Sequence, residues 1–146
     1  MKKYQDPFLS GQILEFARSV AIVGLSTNPN KDSHVVAKFL QNKGLKIIPV
    51  HPKADQLLGE KVYKQVADVT EQVDIVNVFR PSHECPEYAR QAVQIDAKVL
   101  WLQLNISSEQ AAMIAAAAGI HVIMNLCIKI EYNRHYPSPI IPHNRE

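Results

Sequence analysis

The sequence has only two cysteines, Cys85 and Cys127, and neither belongs to a CxxC or Cys/His run. That excludes a disulfide framework and the usual zinc patterns. It also lacks a long apolar run. The longest weakly polar stretch, Ala111 to Met124, is mostly alanine and is broken by Gly119 and His121, and it falls short of the ~20 residues a membrane span takes. No charge sign dominates: sixteen Lys+Arg face fourteen Asp+Glu, for a net charge of +2. The concentrated basic face of a nucleic-acid binder is therefore not expected. The opening residues, Met1-Lys2-Lys3-Tyr4-Gln5-Asp6-Pro7, lead into no apolar signal region. The expectation is a soluble, cytoplasmic chain with neither a membrane nor a nucleic acid as partner.

What is present fits one globular unit. The chain has 146 residues, 47% of them hydrophobic and 21% charged, enough to bury a core without a covalent staple. The unit is expected to cover 1–146, with a core over about 6–133. Pro137, Pro139 and Pro142 predict an extended tail over 134–146.

Four short runs are rich in β-branched residues and nearly continuously apolar: Val20–Val23, Ile47–Val50, Ile75–Val78 and Val99–Leu102. A weaker fifth is Val122–Met124. Strands covered on both faces read this way. Helix-period segments separate them. His34 to Lys43 carries Val35, Val36, Phe39 and Leu40 on one face, with Asp32 or Ser33 to cap it and Gly44 to close it. Glu84 to Ile95 carries Tyr88, Ala92, Val93 and Ile95, with Ser82 as its cap. Glu109 to Ala118 starts behind Ser107-Ser108 and stops at Gly119. Asp6 to Arg18 reads as an introductory helix with Phe8, Ile13, Leu14 and Ala17 inward. Strict alternation with short joints predicts an α/β fold: a doubly wound parallel sheet of about five strands with helices on both faces.

In such a sheet, ligands sit beyond the C-terminal strand ends. The first of these segments, Gly24-Leu25-Ser26-Thr27-Asn28-Pro29-Asn30-Lys31-Asp32-Ser33-His34, fails the dinucleotide fingerprint, because Ser26 and Pro29 stand at the second and third glycine positions. It has no GK[ST] of a P-loop either. A helix N-terminus still suits phosphate, and Ser26, Thr27, Asn28 and Ser33 add side-chain donors. A turn chosen only for capping would read the same way. After the second strand comes His51-Pro52-Lys53, without the acid that an NAD ribose needs. A cation there suits a phosphorylated ribose, as in NADP or coenzyme A; a solvated lysine is the alternative. After the third, Arg80 is placed to meet a pyrophosphate and Phe79 to wall an adenine or pantetheine, or both simply pack. The histidines, His34, His51, His83, His121, His135 and His143, form no HExxH pair and no assignable Ser/His/acid set. No metal and no catalytic residue is expected.

Six motifs in order carry a resemblance: Val20-Ala21-Ile22-Val23-Gly24-Leu25-Ser26, Val50-His51-Pro52, Leu58 to Tyr63, Val73 to Arg80, Ala97 to Leu104, and Cys127 to Glu131. Together they resemble the small CoA-binding proteins of Rossmann-like fold, similar to the N-terminal domain of the succinyl-CoA synthetase alpha subunit. Asn77 departs from the pattern, where Asp is expected. The resemblance implies coenzyme A as ligand, with Gly24, Ser26, Ser33 and His34 along the diphosphate. It implies Val50, Pro52 and Lys53 around the adenosine and its 3′-phosphate. Phe79, Arg80 and Pro81 would border nucleotide and pantetheine, and Trp101, Gln103 and Leu104 would follow the thiol arm. Cys127, after the last strand, becomes a candidate for a mixed disulfide with the ligand's thiol, against the usual inertness of a structural cysteine. A synthetase would need a phosphorylatable histidine in a second domain, which has no room here. The expectation is therefore a carrier or sensor module for CoA or an acyl-CoA. The alternatives are an NADP- or CoA-dependent enzyme with an unrecognised base, and a ligand-independent interaction domain.

Overall fold

The computed structural model describes residues 2–137. Five parallel strands form one sheet in the order β2-β1-β5-β6-β7: β1 (Ser19–Val23), β2 (Lys46–Val50), β5 (Ile75–Val78), β6 (Val99–Leu102) and β7 (His121–Ile123). The expected runs are these strands, and the fold is the Rossmann-like α/β sheet read from the sequence. Alternate residues of each strand divide between two cores. Ala21, Val23, Ile48, Val50, Val76, Val78, Leu100 and Leu102 face α3 (Cys85–Gln94) and α4 (Glu109–Ala117). Val20, Ile22, Ile47, Ile75, Val99 and Trp101 face α1 (Pro7–Phe16), α2 (Asp32–Asn42) and α5 (Ile128–His135). Double coverage explains why the strands read as continuous apolar runs.

The chain leaves β1 for α2 on one face and leaves β5 for α3 on the other. The order of the sheet reverses between those two neighbours, and a crevice opens there beyond the strand ends. A buried polar knot sets their register from the opposite edge. The Asp74 carboxylate accepts from the backbone N–H of Arg18 at 2.7 Å and of Ser19 at 3.2 Å, while Ser19 Oγ accepts from Asp74 N at 2.9 Å. Val23 and Val78 therefore end side by side.

Four local readings need correction. Phe8 is 76% exposed; the inner face of α1 is Ser10, Gly11, Ile13 and Leu14. Asp6 caps that helix and so sets its rotation, and Gly11 turns inward because the His135 ring lies where a side chain would stand, 2.7 Å from an ideal Cβ. Val35 is exposed, and Ala37 takes its place beside Val36 and Leu40. The first turn of α2 has no side-chain cap from Asp32 or Ser33, because Ser33 Oγ bonds back to Ser26 N instead. Finally, α5 continues to His135, so the expected tail begins as helix; residues 138–146 lie outside the described residues. The sequence reading also passed over a two-residue hairpin, β3 (Gln56–Leu57) with β4 (Glu60–Lys61), turned by Leu58 at φ 54 and Gly59 at φ 76. Among the described residues, no helix is long and apolar enough to cross a membrane, and no group of three His, Cys, Asp or Glu side chains could hold a metal.

Candidate functional site

A cleft of about 1000 Å3 occupies the crevice at the reversal. One wall is the end of β1 and its turn, Val23 to Ser26. The second is Val50, His51 and Pro52 with Lys64 and Gln65. The third is Arg80 and the polar side of α3, including Glu84, Glu87, Tyr88, Arg90 and Gln91. The lining residues are mostly polar or charged, with apolar surface from Val23, Leu25, Val50 and Pro52, and the volume is at the upper end of small-ligand pocket sizes, which suits a large, charged ligand.

Gly24 is the pivot of the site. It follows β1 at φ +83, a conformation that costs a side-chain-bearing residue about 1–2 kcal/mol, and an ideal Cβ on it would lie 2.9 Å from Arg80 Cδ. The Arg80 side chain thus lies across bare backbone. Its guanidinium is held by Glu84, Nε to Oε1 at 3.0 Å and Nη2 to Oε2 at 2.8 Å, and Tyr88 Oη donates to Glu84 Oε1 at 3.0 Å. The hydrogen bond from Arg80 holds the Glu84 carboxyl below its ordinary value, and the same bond raises Arg80. This stabilisation is present above the ordinary carboxylate pKa and is lost as pH falls through the lowered one, so the pair is intact at neutral pH. One edge of the guanidinium is engaged by Glu84; its other edge remains a fork for an anion.

The β1–α2 turn is built by its own side chains. Ser33 Oγ accepts from Ser26 N at 2.9 Å, Ser26 Oγ from Asn28 N at 3.0 Å, and Asn28 Oδ1 from Asn30 N at 3.0 Å. His34 Nδ1 donates to Ser26 O at 2.8 Å. Of the residues expected along the diphosphate, Gly24 and Ser26 line the cleft, whereas Ser33 and His34 shape the turn behind them. Thr27 and Asn28 are exposed and outside the lining. Val50 and Pro52 line the cleft; Lys53 is exposed and does not. Arg80 lines it, while half-buried Phe79 packs into the core beneath and Pro81 starts the turn before α3.

Trp101, Gln103 and Leu104 stand elsewhere. Trp101 is fully buried and its Nε1 donates to Leu126 O at 2.8 Å. Buried Gln103 accepts through Oε1 from Asn77 Nδ2 and from Ile128 N, both at 3.3 Å. The Asn77 amide donates through Nδ2 to Trp101 O at 3.2 Å as well as to Gln103 Oε1, which a carboxylate at this position would not do, and among the described residues its own buried Oδ1 has no partner. Leu104 is exposed and outside the cleft. Sequence reasoning missed most of the α3 wall and Lys64. The spacing of Glu84, Glu87, Tyr88 and Gln91 by three and four carried that signal, because it marks one helix face.

The two thiols differ in kind. Cys85 is buried, and burial pushes its pKa up to about 11, which leaves it protonated and unreactive at neutral pH. Cys127 is half-buried at the N-cap of α5. A maleimide reagent on the native protein is therefore expected to label Cys127 and spare Cys85, as read by peptide mass spectrometry; equal labelling would contradict the burial.

The family model described as CoA binding domain matches residues 18–133. An uncharacterized Bacillus subtilis protein, YneT, is 40% identical over 121 residues, covering 83% of this chain and 90% of that protein. A crystal structure of the PH1109 protein redesigned for binding superposes with a TM-score of 0.89 at 28% identity, covering 94% of this chain and 96% of that one. An ADP-forming acetate–CoA ligase of Methanocaldococcus jannaschii is 34% identical over 74 residues, which is 51% of this chain and 10% of the ligase.

Proposed function

Because the chain belongs to the CoA-binding domain family, we propose that the cleft at the sheet reversal holds coenzyme A or an acyl-CoA, as a cytoplasmic carrier or sensor module without chemistry of its own. The observation that carries this reading is the bare Gly24 backbone with Arg80 lying across it. A ligand with several phosphates needs both close approach to main chain and a fixed cation.

The residues present fit the group. Val50, Pro52 and Tyr88 offer apolar surface for an adenine or the pantetheine methyls, and Arg80, Arg90 and Lys64 distribute positive charge along the walls. When bound, coenzyme A would supply a thiol able to carry an acyl group. This chain's share is to grip the nucleotide and leave the arm free.

The test is thermal or chemical unfolding with CoA, NADP and NAD. CoA at ~100 times its dissociation constant is expected to stabilise by about 2.7 kcal/mol, and NAD by much less. Stabilisation by NADP and none by CoA would favour the oxidoreductase reading instead.

A further inference from the structure

The cations of the cleft are not equally available. Arg80 is held by Glu84 through two bonds, and Arg90 lies 3.3 Å from Glu87. Lys64 is different. Its Nζ donates to two neutral carbonyls, Lys53 O at 2.9 Å and Ala54 O at 3.1 Å. Its acidic neighbour, Asp55, is 3.6 Å away with a side chain 98% exposed. An ammonium has three donors, so Lys64 is anchored by two and keeps a third that only a solvated carboxylate contests.

His51 grips the same turn from the other side. Its Nδ1 accepts from Lys53 N at 3.0 Å and from Ala54 N at 2.9 Å. A ring nitrogen that accepts carries no proton, so the neutral ring bears its proton on Nε2 and is a donor there. His51 N also bonds to Tyr63 O at 3.0 Å, and Tyr63 bridges to Val50, which sets Lys64 beside the end of β2. Both residues line the cleft, and the side chains of both are tied to the backbone of the 53–54 turn. The Lys53 side chain is exposed and outside the lining.

We propose that His51 and Lys64 form a phosphomonoester subsite at the β2 end of the cleft, which makes the site selective for a ligand whose ribose carries a 3′-phosphate. This rests on the reading that the cleft takes coenzyme A, and it moves that role from Lys53 to Lys64. A monoester carries about −1.5 to −2 charges at neutral pH. It therefore gains more from a pre-anchored ammonium and an N–H donor than the inner phosphates of a diphosphate do.

The experiment is calorimetric titration of the whole chain with CoA and with dephospho-CoA, which differ only by that phosphate. CoA is expected to bind about tenfold or more tightly. In Lys64→Met the affinity for CoA falls more than that for dephospho-CoA, so the ratio moves towards one; in Lys53→Met the ratio stays. Phosphorus NMR of bound CoA gives a reading that needs no variant: the protonation midpoint of the 3′-phosphate falls on binding. Equal affinities in the wild type, a ratio that survives Lys64→Met or is lost in Lys53→Met, or an unmoved midpoint would overturn the subsite while CoA binding stands. Failure of both ligands to bind would overturn the wider reading.

Discussion

Replacing Gly24 with valine is expected to abolish measurable CoA binding and to lower unfolding free energy by roughly 2–4 kcal/mol. Two effects add. The residue sits at φ +83, where a β-branched side chain is strained, and its first carbon would stand 2.9 Å from Arg80 Cδ and 3.3 Å from Phe79 O. The arginine can swing away; the carbonyl is main chain directly after β5, where Phe79 N bonds to Val23 O at 2.9 Å, and yields less readily. Arg80 would then leave the position that Glu84 and Tyr88 give it, and the new side chain would stand in the ligand's path. Gly24→Ala is the graded comparison, with less backbone strain, since alanine is not β-branched, and a smaller obstruction. Urea unfolding and calorimetric titration on each variant separate the two effects. Wild-type affinity in the valine variant would mean that the ligand does not approach this turn.

Truncating Trp101 to alanine is expected to cost about 3–5 kcal/mol of stability, the usual price of removing a large buried aromatic. The indole is fully enclosed between the sheet and the helices of α1, α2 and α5, and its N–H is the tether to Leu126 O, two residues before α5 begins. Loss of the tether leaves a carbonyl unpaired and loosens the approach to that helix. Trp101→Phe keeps most of the volume and loses the bond, so a loss of about 1–2 kcal/mol is expected, with CoA affinity unchanged. Urea unfolding followed by far-ultraviolet circular dichroism measures the first effect and titration the second. A Phe variant of normal stability that lost CoA binding would return Trp101 to the thiol arm.

These two residues show what was legible. The strand containing Trp101 reads plainly because a strand covered on both faces carries no alternation to confuse, and Gly24 reads because a turn between strand and helix at the sheet reversal needs a residue tolerant of positive φ. Helix α5 was not legible. Its eight residues include Lys129, Glu131, Asn133, Arg134 and His135, and contacts distant in sequence hold it: Gln103 to Ile128 N, and the Tyr132 ring edge-on to Phe39 at 5.6 Å. The inward turn of Gly11 depends likewise on His135, and Lys64 reaches the cleft only through the bridge of Tyr63 to β2. Local patterns give the frame and the polar face of α3; helix α5 and the place of Lys64 in the cleft come from pairings that no short window contains.

An amide-resolved NMR titration with CoA tests the central claim most directly, because it asks where the ligand sits without presuming a function. The largest shifts are expected at Gly24, Leu25 and Ser26, at His51 and Lys64, and at Arg80 and Glu84. Shifts confined to the opposite edge, around Phe16, Lys98 and His121, or no shifts at saturating CoA, would contradict the account.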